Sequence, residues 1–169
     1  MKSKYILMFS LLLTGLIVTT SNAKAQILPG APSNYSVQFY YDVSDMSRQN
    51  GVFTSGPTNQ FDLYNPAFHA DLNVTYNLKD FRRNLDQHDL NDHASSAVLN
   101  GDAGIKVTLY NNPSGQTDDD WTEITFKQYL PNYYLVTFDG TWEDEWIKVV
   151  SHKDHSGLNG HVSAIRITK

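Results

Sequence analysis

The feature that most constrains this chain is the alternation of apolar and polar residues that recurs from position 35 onward. The stretches "YSVQFYYD" (35–42), "LNVTYNL" (72–78) and "IKVTLY" (105–110) place aromatic, β-branched or leucine residues at every second position. Period-two alternation is typical of half-buried β-strands, whose successive side chains point to opposite faces. The stretches "WTEITF", "YYLVTF", "EWIKVV" and "VSAIRI" continue the pattern. The sequence therefore predicts a strand-rich chain.

Turn-forming residues separate these stretches. "NG" occurs at 50–51, 100–101 and 159–160, "NNPSG" at 111–115 and "DG" at 139–140, and such pairs mark tight turns. A helix is indicated only for 78–90, where Phe81 and Leu85 are four residues apart. Many short strands without strand–helix alternation predict an all-β sandwich or barrel.

The N-terminus has the layout of an export signal. Lys2 and Lys4 precede the 14-residue apolar run "YILMFSLLLTGLIV", and "AKA" at 23–25 offers a small-residue cleavage point. This order is typical of a cleaved signal peptide, and the run is short for a membrane span. We expect a signal peptide over 1–25, a flexible leader over 26–34 and one domain over 35–169. The predicted location is secreted or periplasmic, without a membrane span.

Charge and cysteine content narrow the possible partners. Without the first 25 residues, which hold three lysines and no acids, 10 basic side chains face 18 acidic ones, a net charge of −8. An acidic chain repels phosphates, which argues against nucleic acid as a partner and favours cations. The chain has no cysteine, so packing, assisted by any bound ion, has to replace the disulfides common in exported domains.

A polar stretch occurs twice. "LNDHASSAVL" (90–99) is echoed by "LNGHVSAIRI" (158–167), at a spacing of 68 residues. Both stretches combine Asn, His and Ser and then continue as an apolar strand. An Asx turn with serines capping backbone N–H groups is one interpretation of the first stretch. The repeat favours another, in which two related half-domains, each about one Greek key long, build a single sandwich.

The first of these stretches resembles a known family. "NDHASS" matches the N/D-N/D-x-x-S/T-S clamp of the microbial βγ-crystallins, and "GIKVTLYNNPSG" is similar to the opening of their second Greek key. "VSAIRITK" resembles the segment that closes it, although the aromatic-x4-aromatic-x-Gly corner of the family is absent. The resemblance covers about 90–169, and it implies a β-sandwich of two Greek keys that binds Ca²⁺.

The resemblance also implies the ligands, because the two clamps of such a domain pair crosswise. In the first clamp, Asp92 and Ser95 would supply side-chain oxygens and His93 its backbone carbonyl. In the second clamp, Ser163 would supply its hydroxyl and His161 its backbone carbonyl. Gly160 stands where an acid or amide is expected, so we expect one good site and one weak or absent site. The full set of candidate metal ligands is Asn91, Asp92, His93, Ser95, Asn159, His161 and Ser163.

A second possible function involves the segment "DGTWEDEW" (139–146). Trp142 and Trp146 have the same parity and enclose three acidic residues. Exposed aromatic rings beside carboxylates would suit an extracellular glycan or protein ligand. The alternative interpretation is that these tryptophans fill the core or cover a sheet edge.

The remaining polar motifs give weaker indications. "TDDDWTE" (117–123) lacks the spacing of an EF-hand loop and is interpreted as a solvated turn. The histidines follow no trusted zinc spacing, and we expect exposed loop positions for them: His88, His93, His152, His155 and His161. No nucleotide-binding or nucleophile motif occurs, so we predict no enzymatic activity. A secreted inhibitor or enzyme on the same sandwich is the rival class.

Overall fold

A computed structural model describes residues 34–40, 49–55, 67–81 and 90–169 of the chain. Within these ranges it contains strands, turns and one short 3-10 turn, and it contains no α-helix. The predicted signal peptide lies outside the described residues, as does the predicted leader apart from Asn34. The strands are β1 (Tyr35–Tyr40), β2 (Gln49–Thr54), β3 (Ala67–His69), β4 (Thr75–Asn77), β5 (Ser96–Gly101), β6 (Lys106–Tyr110), β7 (Trp121–Phe126), β8 (Leu130–Leu135), β9 (Trp142–Glu143), β10 (Ile147–His152) and β11 (Ala164–Thr168).

The strands form two sheets. The five-stranded sheet has the order β3-β2-β1-β5-β8, and the six-stranded sheet has the order β4-β11-β6-β7-β10-β9. All pairings are antiparallel except that of β2 with β3. The prediction of an all-β, sandwich-like fold is therefore confirmed.

The core comes from the predicted alternation. Val37 and Phe39 of β1 are fully buried, as are Val107 and Leu109 of β6. Their cluster continues through both sheets, and Phe39 meets the ring of Phe138 edge-on at 6.1 Å. Each fully buried aliphatic or aromatic side chain contributes about 1.5–3 kcal/mol by leaving water. The apolar faces of the two sheets therefore hold this fold together.

The two sheets share an arrangement of strands. In the first, β1 lies between β2 and β5, and in the second, β6 lies between β7 and β11. Each arrangement gains a fourth strand from the part of the chain that builds the other sheet. In the first sheet β8, which follows β7, pairs with β5, and in the second sheet β4, which precedes β5, pairs with β11. This exchange brings the segments that precede β5 and β11 into one region of the molecule.

One local prediction was wrong, and another is tested over only part of its length. The strand expected over 72–78 begins only at Thr75, because Asn73 adopts a left-handed conformation (φ 66°) in a turn. A left-handed residue interrupts the extended backbone, and Val74 is exposed as a result. The helix expected over 78–90 is a single 3-10 turn (Leu78–Asp80) where the structure describes it, and 82–89 lie outside the described residues.

The strand expected over "YYLVTF" is also displaced. β8 begins at Leu130 and ends at Leu135, three residues before the end of that stretch. Beyond the strand Val136 is exposed and Phe138 is fully buried although the two have the same parity, so the alternation ends where the chain leaves the sheet. Side-chain parity therefore predicted neither the burial of Phe138 nor the end of the strand.

We expect Gly115→Ala to destabilise the protein by about 1–3 kcal/mol more than Gly104→Ala does. Both glycines have a positive φ, 71° and 86° respectively, so the backbone strain of the two substitutions is similar. A Cβ at Gly115 would lie 2.5 Å from Cγ2 of Thr75, whereas one at Gly104 has no atom within 4 Å. Urea unfolding measures both effects, and equal losses would contradict the close approach at Thr75.

Candidate metal centre

The two polar stretches of the repeat occupy matching places in the fold. The first clamp (91–96) leads into β5, and the second clamp (159–164) leads into β11. Each follows a buried leucine, Leu90 or Leu158. The repeat seen in the sequence is thus also a repeat in the structure.

Reciprocal hydrogen bonds join the clamps. The N–H of Asp92 donates to the carbonyl of Val162 (3.0 Å), and the N–H of Gly160 donates to the carbonyl of Ala94 (2.8 Å). Asp92 and Gly160 are 68 positions apart, and so are Ala94 and Val162. The same bond is therefore made twice, once in each direction, and it fixes the clamps side by side.

The matching extends to the neighbouring strands. The N–H of Ser95 donates to the carbonyl of Tyr40 at the end of β1 (3.1 Å). The N–H of Ser163 likewise donates to the carbonyl of Tyr110 at the end of β6 (2.8 Å). Each clamp serine is therefore held by its backbone at a strand end.

The backbone conformation at the third position of each stretch is also the same. Asp92 has φ 58° and Gly160 has φ 78°, both in the left-handed region that Asp tolerates better than most residues. A Cβ at Gly160 would have no neighbouring atom within 4 Å. The second clamp therefore lacks a side chain where the first clamp carries a carboxylate.

A carboxylate from the first clamp meets a hydroxyl from the second. The hydroxyl of Ser163 donates to Oδ1 of Asp92 at 2.9 Å, and the Nδ2 of Asn91 donates to Oδ2 of Asp92. Asp92 is exposed, whereas Asn91 and Ser163 are buried. Carboxylate and hydroxyl oxygens are suitable ligands for a hard cation such as Ca²⁺, and here an exposed carboxylate meets a buried hydroxyl.

The other predicted ligands are distributed around this contact. Ser95 and His93 are half-buried within the first clamp, and His161 is exposed in the second. The side chain of Asn159 contacts a different segment, because its Oδ1 accepts from the N–H of Phe138 (2.9 Å). Its Nδ2 donates to Oγ1 of Thr137 (2.9 Å). No sequence pattern marks this contact, because the two partners of Asn159 are about 20 positions away in the chain.

Comparison of the chain with protein-family models, with curated proteins and with solved structures finds no match. Neither a family nor a relative therefore assigns a role to the clamps.

The acidic run before β7 is only in part the solvated turn that we expected. Asp118 is exposed, but Asp120 is fully buried. Oδ1 of Asp120 accepts from the N–H groups of Asp154 and His155, and Oδ2 accepts from that of Gly157 (2.6 Å). The parity of the strand could have revealed this position, since residue 120 shares a face with the buried residues of β7. The Asp120 carboxylate therefore fixes the backbone of the loop at 154–157, which leads to the second clamp.

The pKa of Asp120 reflects both its burial and its hydrogen bonds. Burial by itself raises the pKa of this carboxyl, but the three backbone N–H donors and nearby His155 together hold it below its ordinary value of 3.8. Hydrogen bonds to the charged form favour ionisation. Asp120 is therefore a buried anion stabilised by a loop backbone.

Asp119, Asp120 and His155 form a second group that could hold a cation, with ligand atoms within 4.8 Å of one another. Nδ1 of His155 lies 3.2 Å from Oδ1 of Asp119. Because both oxygens of Asp120 already accept backbone bonds, the proximity of these side chains is explained without an ion. We do not assign this group as a metal site.

The histidines do not converge on a zinc site among the residues that the structure describes. His152, His155 and His161 are exposed and His93 is half-buried, while His88 lies outside the described ranges. His152 is the last residue of β10 rather than a loop residue, and its ring stacks on Trp121 at 6.0 Å.

Trp142 and Trp146, the two tryptophans that we considered as possible ligand-binding residues, are half-buried and pack against the core. Trp142 is the first residue of β9, and Trp146 lies two positions after Asp144 in the chain. Oδ1 of Asp144 accepts from the N–H groups of Trp146 (2.7 Å) and Ile147 (2.8 Å), and Oδ2 accepts from the hydroxyl of Tyr133 (2.7 Å). Burial by itself raises the pKa of Asp144, but these hydrogen bonds outweigh the effect of burial, so the pKa of Asp144 is lowered. The pKa of Tyr133 is raised by burial of its hydroxyl and by the Asp144 carboxylate.

In the part of the chain that the structure describes, no helix is long and apolar enough to cross a membrane.

Proposed function

We propose that this protein is an exported calcium-binding β-sandwich of βγ-crystallin type, in which one Ca²⁺ at the paired clamps stabilises the fold. The observation that carries the proposal is the 2.9 Å contact between the hydroxyl of Ser163 and the carboxylate of Asp92. It joins the first clamp's acid to the second clamp's hydroxyl, which is the crosswise pairing that the resemblance implies.

Two interlocked Greek keys would account for the strand order. The first key would consist of β1, β2, β4 and β5, and the second of β6, β7, β8 and β11. Each key would give its third strand to the other sheet, which agrees with the pairing of β4 with β11 and of β8 with β5. In this assignment β9 and β10 belong to an insertion before the last strand of the second key.

The donor types favour Ca²⁺ over other common metals. The candidate ligands of this site are the Asp92 carboxylate and His93 carbonyl of the first clamp and the Ser163 hydroxyl of the second, which are all oxygen donors. Ca²⁺ accepts such mixed oxygen ligands with flexible geometry, whereas Mg²⁺ demands a near-ideal octahedron and zinc prefers nitrogen and sulfur. Gly160 supplies no side-chain oxygen, so we propose a single site.

The benefit of the ion would be stability outside the cell. A ligand that binds only the folded state stabilises it by RT ln(1 + [L]/Kd), about 2.7 kcal/mol at a hundredfold excess over Kd. The total stability of a domain is about 5–15 kcal/mol. For a chain without cysteine, a bound ion would supply a substantial part of that total.

Thermal unfolding of the chain from Gln26 onward, in excess EDTA and in millimolar Ca²⁺, tests the proposal. We expect Ca²⁺ to raise the Tm by several degrees and Mg²⁺ to leave it nearly unchanged. Asp92→Gly should abolish the rise without backbone strain, because the equivalent position of the second clamp is already a glycine. Ser163→Ala should weaken the rise.

Asp119→Ala is the matched control. It removes an acid of the same type from the Asp119–His155 group, and the Ca²⁺-dependent rise in Tm should persist. If the rise survives Asp92→Gly and disappears with Asp119→Ala, the site lies in the acidic run and the clamp is a polar turn.

A further inference from the structure

An exposed aromatic surface lies at β8, the last strand of the five-stranded sheet among the described residues. Among the described residues, Tyr129, Tyr134 and Val136 are three of the four large hydrophobic residues with strongly exposed side chains. All three lie in β8 or within one residue of it. Concentrated apolar exposure on one strand marks a binding surface more often than scattered exposure does.

Beside this strand the structure contains a groove of about 350 Å³, which we call the aromatic groove. It is lined by Pro131, Asn132, Tyr133, Tyr134 and Trp146. Its volume is within the range of about 300–1,000 Å³ that is common for small-ligand sites. The groove therefore has room for a ligand of one or two rings.

The walls of the aromatic groove are held in place before any ligand binds. Asp144 accepts the hydroxyl of Tyr133 and the N–H of Trp146, both at 2.7 Å. The carbonyl of Trp146 accepts from the N–H of Lys127 (2.9 Å). A binding surface that is fixed in advance loses little conformational entropy on binding.

The edge of β8 is poorly suited to pairing with an added peptide strand. Pro131 has no N–H to donate, and the N–H of Asn132 already donates to Oδ1 of Asn100 at 2.7 Å. Asn132 also has φ 54°, which breaks the extended course of the strand edge. At Pro131 and Asn132 the surface therefore offers side chains rather than backbone N–H groups to a ligand.

The charges beside the aromatic groove favour a neutral ligand with many hydroxyl donors. Lys127 is already paired with Oε1 of Glu143 at 2.7 Å. Glu145, next to Trp146 in the chain, is exposed and offers an acceptor. Sugar hydroxyls donate to such acceptors and sugar rings pack flat on aromatic faces, whereas a proline-rich peptide presents mainly carbonyl acceptors.

We propose that the aromatic groove binds a neutral oligosaccharide, with sugar rings packed against Tyr134 and Trp146. This site shares no residue with the calcium clamps, so the proposal of a sugar site does not depend on the proposed calcium site. Trp142 lies outside the groove lining, so the sugar site uses only one of the two tryptophans that the sequence singled out.

NMR titration of the same protein with cellohexaose and chitohexaose tests this proposal. The chain has three tryptophans, and we expect the indole N–H signal of Trp146 to shift with a Kd in the millimolar range or below. Tyr134→Ala should weaken binding roughly tenfold, since an aromatic stacking partner is lost. Tyr134 is 58% exposed, so this variant should keep the wild-type Tm.

Tyr129→Ala is the matched control, because Tyr129 is 61% exposed and does not line the aromatic groove. It should bind both sugars as the wild type does. The proposal is overturned if neither sugar moves the Trp146 signal at about 10 mM, an order above a millimolar Kd. It is also overturned if Tyr129→Ala weakens binding as much as Tyr134→Ala, or if a proline-rich peptide binds there and the sugars do not.

Discussion

Replacing Asp120 by alanine is expected to destabilise the protein by about 3 kcal/mol or more. The change leaves the N–H groups of Asp154, His155 and Gly157 without their carboxylate acceptor. A buried donor that loses its partner costs about 1–3 kcal/mol. Urea unfolding at neutral pH measures the loss.

Asp118→Ala provides the control within the same acidic run. Asp118 is exposed and accepts one bond from the side chain of Asn112 (3.0 Å), so its loss should stay within about 0.5 kcal/mol. Equal losses for Asp118→Ala and Asp120→Ala would show that burial of the carboxylate is not what stabilises this loop.

The Asp120 carboxylate should also leave a mark on the pH dependence of stability. Because its pKa is lowered in the folded state, its contribution is present above the ordinary value of 3.8 and is lost as the pH falls below it. Asp120→Asn, which cannot ionise, should show a shallower fall in stability below about pH 4. An unchanged slope would mean that other carboxyls account for the acid sensitivity.

Replacing Gly160 by aspartate is expected to create a second calcium site. The position has φ 78° and open space where a side chain would begin, and Asp92 shows that an aspartate is accommodated at the matching place with φ 58°. The new carboxylate would face Ser95 of the first clamp, as the Asp92 carboxylate faces Ser163 of the second clamp. Calcium stoichiometry should rise from one to two per chain.

Gly104→Asp controls for the added charge and for the strain of a left-handed aspartate. Gly104 has φ 86° and nothing within 4 Å of a built Cβ, but it lies outside both clamps. This variant should keep a stoichiometry of one. If Gly160→Asp also keeps a stoichiometry of one, the clamps do not have the equivalence that their reciprocal hydrogen bonds suggest.

The sequence predicted the strands well wherever local side-chain chemistry decides the structure. Alternation identified β6 and β7 because their inward residues are fully buried. It failed over 72–78 because a single backbone conformation, that of Asn73, ended the extended segment, and composition does not specify φ. It also gave no information on which strands exchange between the sheets, because that depends on contacts between distant residues.

The candidate site was predictable only in part, for a similar reason. The repeat of the clamps indicated that Asp92 and Ser163 belong to one arrangement, and the structure brings them to hydrogen-bonding distance. The burial of Asp120 and the contact of Asn159 with Phe138 depend on loops that meet only in the folded chain. Polarity alone suggested that these two residues face solvent or a metal, and it did not reveal their backbone partners.

The most direct test of the central claim is a calorimetric titration of metal-free protein with Ca²⁺, performed on the wild type and on Asp92→Gly. We predict one saturable site per chain in the wild type and none in Asp92→Gly. Absence of saturable binding in the wild type, or binding that Asp92→Gly leaves unchanged, would contradict the assignment of the paired clamps as a calcium site.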